Sequence, residues 1–127
     1  MTNKIKKIVE DLGIDAFESN VKIAGIAVVS DSGNLVYQTE NFDLKNQMDE
    51  VMNVIKGGSS LTLSNSEFIV VVSSSEGVIA TNDKGMGHII FAPFQGGILV
   101  SYAMPNADPS KVLTFLKNNV NKLNGKL

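Results

Sequence analysis

The chain has no cysteine, no tryptophan and no arginine, and it has one histidine among 127 residues. Without cysteine there are no disulfides, no thiolate nucleophile and no Cys-based zinc site, and a single histidine cannot build a multi-His metal centre. No metal or other cofactor is therefore expected. The lack of cysteine also suits an intracellular, cytoplasmic protein. All 11 basic residues are lysine, so the planar two-pronged contacts by which arginine grips phosphates and guanine edges are missing. With a net charge of −2, nucleic acid is not an expected partner.

Long apolar runs are also absent. The opening "MTNKIKKIVEDLG" interrupts its apolar residues with lysines, so it lacks the core of a signal peptide, and no later stretch is long enough to span a bilayer. A soluble protein is expected. Lys4, Lys6 and Lys7 would attract an anionic phospholipid surface only marginally, because Glu10 and Asp11 dilute them. The 13 acidic residues are scattered and form no tail-like block.

What is present is 43% apolar content, enough for one domain spanning 1–127 to bury a core unaided. Ile5, Ile8, Val9 and Leu12 fall on one helical face, with Thr2 or Asn3 as N-cap and Gly13 fraying or bending the end. A hairpin follows, turning at Asp31-Ser32-Gly33-Asn34. Leu44, Met48, Val51, Met52 and Ile55 then predict a second helix capped by Asp43 and stopped at Gly57-Gly58. From Ser60 the signal changes to strands: "SLTLS", "EFIVVVSS", "GVIATND", "GHIIFAPF" and "GGILVSYAM", with short joints that suit antiparallel hairpins. Pro93 cannot donate to a ladder, so its strand should be bulged or at an edge there. Asp108-Pro109 opens a last helix that buries Val112, Leu113, Leu116, Val120 and Leu123.

Consecutive strands with few, separated helices predict an α+β fold: a central antiparallel sheet flanked by N-terminal, middle and C-terminal helices. No dinucleotide fingerprint fits it, since neither Gly85-Met86-Gly87 nor Gly96-Gly97 leads into a helix. "TNDKGMGHII", residues 81–90, reads as a glycine-rich hairpin turn; as an anion nest it would lack a helix N-terminus behind it. His88 as a general base would need Asp83 and a serine from Ser73 to Ser75 beside it, and nothing in the sequence brings them together. Glu10/Asp11 and Asp49/Glu50 are adjacent on helices, so their side chains diverge and no acid/base pair emerges. Met48 and Met52 read as core filling. No catalytic set results, and the chain is not expected to be an enzyme.

Taken together, the second half resembles the profilins, small proteins that bind actin monomers. The run "LTLSNSEFIVVVSSSEGVIATNDKGMGHIIF" is similar to the profilin hairpins that lead through a Lys-Gly-x-Gly-Gly turn into an Ile-rich strand. Lys84-Gly85-Met86-Gly87 stands at that turn, with His88 where the family often has a further glycine. "AGIAVVSDSGNLVYQTENF", ending in Asn41-Phe42, resembles the family's first hairpin. The element order agrees over nearly the full chain, in a form that suits an archaeal-type profilin.

The resemblance implies a profilin-like fold and a cytoplasmic, cytoskeleton-associated monomer. It would bind actin or an actin-like protein and regulate its polymerisation by sequestration, delivery or nucleotide exchange. Carried over by position, the actin face would comprise Glu67, Val70 and Val72, Lys84, Ile90, Asn106, Lys111, Leu113 and Lys117. Glu67 and Val72 stand where familiar animal members tend to have basic side chains, which points to a different, co-varying actin. Alternation and helical spacing alone would equally make Val70, Val72 and Leu113 core residues. The family's second surface stacks aromatic rings on proline-rich ligands; here its positions are Ile5, Ile8, Val36 and Val120, with Tyr37 the ring nearby. Proline-rich binding by the family's usual stacking is not implied.

The runner-up is a roadblock-type dynein light-chain domain, a homodimeric scaffold for small GTPases with a related element order. That family is usually shorter after its second helix than this chain.

Overall fold

The structure is a computed structural model that describes residues 2–40 and 42–127, the side chains of Thr2 and Asn3 excepted. The side chains through which Thr2 or Asn3 would cap the first helix, and Asn41 of the Asn-Phe pair, fall outside what it describes. The elements are α1 (Thr2–Glu18), β1 (Ile23–Ser30), β2 (Leu35–Gln38), α2 (Met48–Ile55), β3 (Ser60–Leu63), β4 (Ser66–Ser74), β5 (Gly77–Thr81), β6 (His88–Phe94), β7 (Gly97–Ala103) and α3 (Pro109–Asn119). A 3-10 turn, Val120–Leu123, extends α3. The seven strands form one sheet in the order β2-β1-β7-β6-β5-β4-β3, antiparallel throughout. This is the α+β architecture the sequence predicts.

Strand alternation sends side chains to two cores. On one face, Ile26, Val28, Ile79, Ile90, Ala92 and Leu99 meet Ile5, Val9 and Leu12 of α1 and Val112, Leu116, Val120 and Leu123 of the C-terminal segment. On the other, Ala27, Val29, Ala80, Ile89, Phe91 and Val100 meet Val51 and Val54 of α2 and Leu61, Leu63 and Phe68 of the β3–β4 hairpin. The first is called the terminal-helix face below. Burying a leucine such as Leu116 or Leu12 completely contributes about 1.5–3 kcal/mol, so each face is held by many modest terms.

Three local expectations meet a different outcome. Gly13 does not fray α1, which continues to Glu18 and buries Ala16; a glycine inside a helix costs only about 1 kcal/mol, and the apolar stripe outweighs that. Asp43 does not cap α2. Its carboxylate instead accepts from the Lys45 amide at 2.9 Å and the Gln38 side chain at 3.2 Å, and the helix begins only at Met48 after Gln47. Leu44 is fully buried ahead of the helix instead of on it. The glycine stop is as expected: Gly57 has φ +101° just after the C-cap Lys56.

Pro93 pairs with Ile98 of β7, but it lies beyond Val78↔Phe91 at the end of the β5 ladder. On that side it behaves as an edge residue, and the missing N–H interrupts nothing. Asp108 caps α3 through its carboxylate, which accepts from the Ser110 amide at 3.0 Å with Pro109 following.

Candidate functional site

β4 lies between β5 and β3 at the side of the sheet that the terminal helices leave open. Its first residues alternate regularly: Phe68 and Val70 pack into the α2-side core, whereas Glu67 and Ile69 point to the terminal-helix face. The register then shifts. Val70 pairs with Ala80 but Val72 pairs with Ile79, leaving Val71 as an extra residue. Such a bulge reverses the alternation, so Val72 joins Ile69 on the terminal-helix face although it is two residues from Val70. Ile69 is 43% exposed, Val72 42% and the bulged Val71 60%. This is an apolar strip on a strand with no helix over it.

α3 borders the strip. Leu113 lies against Gly77, and a Cβ there would stand 2.6 Å from the Phe91 carbonyl as well as inside the Leu113 side chain. Glycine at 77 therefore lets the helix sit close to the sheet. One turn on, Lys117 pairs with Glu76 from the β4–β5 turn. Lys111 is exposed on α3, and Asn106 is exposed on the loop leading into it.

At the other end, the 82–87 loop is built around Asn82, which is 7% exposed. Its side-chain amide donates to the Glu67 carbonyl at 2.8 Å, and its carbonyl accepts from the amides of Lys84 at 2.8 Å and Met86 at 3.1 Å. Gly87 has φ +103°, and a Cβ would stand 2.6 Å from the Ala103 carbonyl. Gly85 also has positive φ, +79°, but opens on empty space. The Tyr102 hydroxyl donates to the Met86 carbonyl at 2.6 Å. The loop is thus fixed to β4 and β7, with Lys84 exposed on it.

The sequence-derived contact set is only partly brought together. Glu67, Val72, Lys84, Asn106, Lys111 and Lys117 are exposed, and Leu113 is half-buried at the helix–sheet seam. Val70 belongs to the opposite face because it precedes the bulge. Ile90 is 0% exposed in the core beneath the terminal helices, so no partner can reach it. Ile69 occupies the place expected for Val70. Strict alternation cannot reveal a bulge, so the sequence alone puts Val70 and Val72 on one face.

His88 sits at the start of β6, opposite Thr81, and its Nδ1 lies 2.9 Å from the Thr81 hydroxyl. Ser73 pairs with Val78, three residues along β5 from Thr81, so the serines stand toward the other end of the strand and His88 is paired with none of them. Among the described residues no group of three or more His, Asp or Glu side chains could hold a metal. Nor is any helix among them long and apolar enough to cross a membrane. Asp43, in the loop before α2, has its pKa lowered, first by the hydrogen bond from the Lys45 amide and then by the Gln38 side chain. A hollow of about 220 Å³ between Phe42, Phe68, Met86 and Tyr102 lies on the other face of the sheet and is lined by no charged residue.

The positions equivalent to a proline-rich site fare differently from one another. Ile5 and Val120 are 3% and 6% exposed and belong to the core, so they are corrected as contact residues. Ile8, Val36 and Tyr37 are half-buried and pack against that same core. Beside them a hollow of about 280 Å³ is lined by Val36, Ser30, Ser32, Asn34, Lys126 and Leu127, with the nearly buried Ile5 at its floor, and none of these is an aromatic ring.

No family model matches the chain. Loki profilin-1 of Lokiarchaeum sp. (strain GC14_75) is 31% identical, with 97% of each chain covered. A crystal structure of LokiProfilin1 in complex with rabbit actin superposes with a TM-score of 0.88 at 29% identity, covering 100% of this chain and 98% of that one. A LokiProfilin2 complex with rabbit actin gives 0.82 at 29% identity, covering 97% of both. The dynein light-chain reading finds no support among these relatives, and the extra strands after α2 that argued against it are present as β3 to β7. With the fold matched from end to end and a relative 31% identical across 97% of both sequences, this chain belongs to the profilin family.

Proposed function

We propose that this profilin binds monomers of actin or an actin-like protein through the terminal-helix face of β4, the 82–87 loop and the exposed side of α3, and so regulates their assembly. The observation that carries the assignment is the uncovered apolar strip of Ile69, Val71 and Val72, in a family whose members include two solved with actin. Exposed apolar side chains framed by polar ones are the anatomy of a protein–protein contact. The frame here is Glu67, Lys84, Asn106, Lys111 and Lys117. Hydrophobic burial at the centre supplies affinity, and the rim charges select the actin and steer its approach.

The action is binding, with no covalent chemistry, carried out by residues 1–127 as one domain in the cytoplasm where actin is found. Monomer capture slows nucleation by lowering free monomer, or delivers monomers to growing ends. Polymerisation of fluorescently labelled rabbit actin at saturating protein tests this: nucleation or elongation should change, and unchanged kinetics in both would contradict it.

A further inference from the structure

Outside the face assigned above, Phe17 is the most exposed large apolar residue among the described ones, at 85%, and Ile14 is 56% exposed. Both stand on the outward side of α1. At about 3.6 residues per turn, Ile14 lies half a turn from the buried stripe of Ile5, Val9, Leu12 and Ala16. Gly13 beside them has nothing within 4 Å of where a Cβ would be, so bare backbone forms the floor. Alanine would fit there and favour the helix more. Together with Lys7, Glu10 and Asp11 these residues line a shallow depression of about 630 Å³.

The charges of α1 point to an occupant. Lys4, Lys6 and Lys7 lie in its first half and Glu10, Asp11, Asp15 and Glu18 in its second, with no acidic residue in the first turn and no basic one in the last. This opposes the helix dipole, which favours anions at the N-terminus and cations at the C-terminus. Among the described residues only Asp15 of the four has an ion pair, with Lys122 at 3.7 Å. The fold itself gives no use for the other three carboxylates around an exposed phenylalanine.

We infer that the outward face of α1 docks a basic amphipathic helix of a partner protein, whose apolar residues cover Ile14 and Phe17 and whose cationic side chains meet Glu10, Asp11 and Glu18. Apolar residues at i and i+3 over an open glycine match helix-against-helix recognition, and a partner's cations supply what the C-terminal half of α1 lacks. An anionic membrane would be repelled by the carboxylates. A second copy offers Lys4, Lys6 and Lys7 on a helix half whose apolar residues Ile5 and Val9 are already buried.

The test titrates the full chain with a labelled amphipathic peptide of leucine, lysine and alanine, read by fluorescence anisotropy and by backbone NMR shifts. Saturable binding should shift Gly13 to Glu18. It should weaken by roughly tenfold or more in Phe17→Ser and in Glu10→Lys/Glu18→Lys, and disappear when glutamate replaces lysine in the peptide. Phe17→Ser should leave actin binding intact, which separates this face from the one on β4. Four results would each overturn the proposal: equal affinity for Phe17→Ser, shifts confined to other elements, concentration-dependent shifts at Ile14 and Phe17 in the protein alone, or Phe17-dependent binding to phosphatidylserine vesicles.

Discussion

The side-chain amide of Asn82 donates to the main-chain carbonyl of Glu67 at 2.8 Å, tying the lysine-bearing loop to the strand that carries the apolar strip. The same side chain accepts from the amides of Lys84 and Met86, so three backbone groups depend on one buried residue. Asn82→Ala should therefore destabilise the fold by about 2 kcal/mol, a fall of several degrees in Tm. It should also weaken actin binding beyond that loss, because Lys84 is no longer fixed. Calorimetry together with an actin titration at a temperature where the variant is folded would separate the two effects.

The bulge at Val71 makes two neighbouring valines respond in opposite ways. Val72→Asp should leave the stability within about 0.5 kcal/mol of the parent, as expected for an exposed position, and weaken actin binding by roughly tenfold or more. Val70→Asp places a charge against the α2-side core and should lower Tm by several degrees before binding is affected. If Val70→Asp were the silent one in stability, the assigned register would be wrong.

Gly85 and Gly87 share a positive φ but not the same surroundings. Gly85→Ala should cost only the backbone strain, about 1–2 kcal/mol. Gly87→Ala adds a clash with the Ala103 carbonyl and the Tyr102 ring and should cost clearly more. Thermal melts of the two single variants give the comparison directly.

Most of this architecture was legible in the sequence, and the exceptions share a cause. Hydrophobic spacing located the helices and strands, and Asp108-Pro109 and Gly57 marked ends that the structure keeps. Asp43 looked like a helix cap because an Asx turn and an N-cap use the same residue type in the same local way; which one forms depends on Gln38, Lys45 and the burial of Leu44. The bulge that sends Val70 and Val72 to opposite faces depends on pairing with β5, which no single-strand pattern contains. Asn82 carried no periodic signal, although its place before Asp-Lys-Gly is the kind of turn position where an Asn side chain binds backbone two residues on. Ile90 lies in the core and not on the contact face; resemblance by position does not tell which side of the sheet a residue faces.

Asp43 gives a pH dependence of definite sign. Its pKa in the folded chain is below the ordinary 3.8, so its contribution to stability is fully present above that value and is lost as pH falls through the lower folded one. Asp43→Asn should narrow the stability difference between neutral pH and acid conditions, with the change setting in as pH falls below the ordinary 3.8. Urea melts across that range would show the effect, and an unchanged pH profile would mean the Lys45 and Gln38 contacts do not hold the charge in solution.

The most direct measurement is calorimetric titration of monomeric rabbit actin with the parent chain and with Lys84→Glu/Lys111→Glu, two exposed substitutions at opposite ends of the assigned face. The parent should bind saturably. The charge-reversed variant, melting at the parent temperature, should bind at least roughly tenfold more weakly. No saturable binding by the parent would contradict the proposed function. Undiminished binding by both Lys84→Glu/Lys111→Glu and Val72→Asp would show that actin is held by some other face.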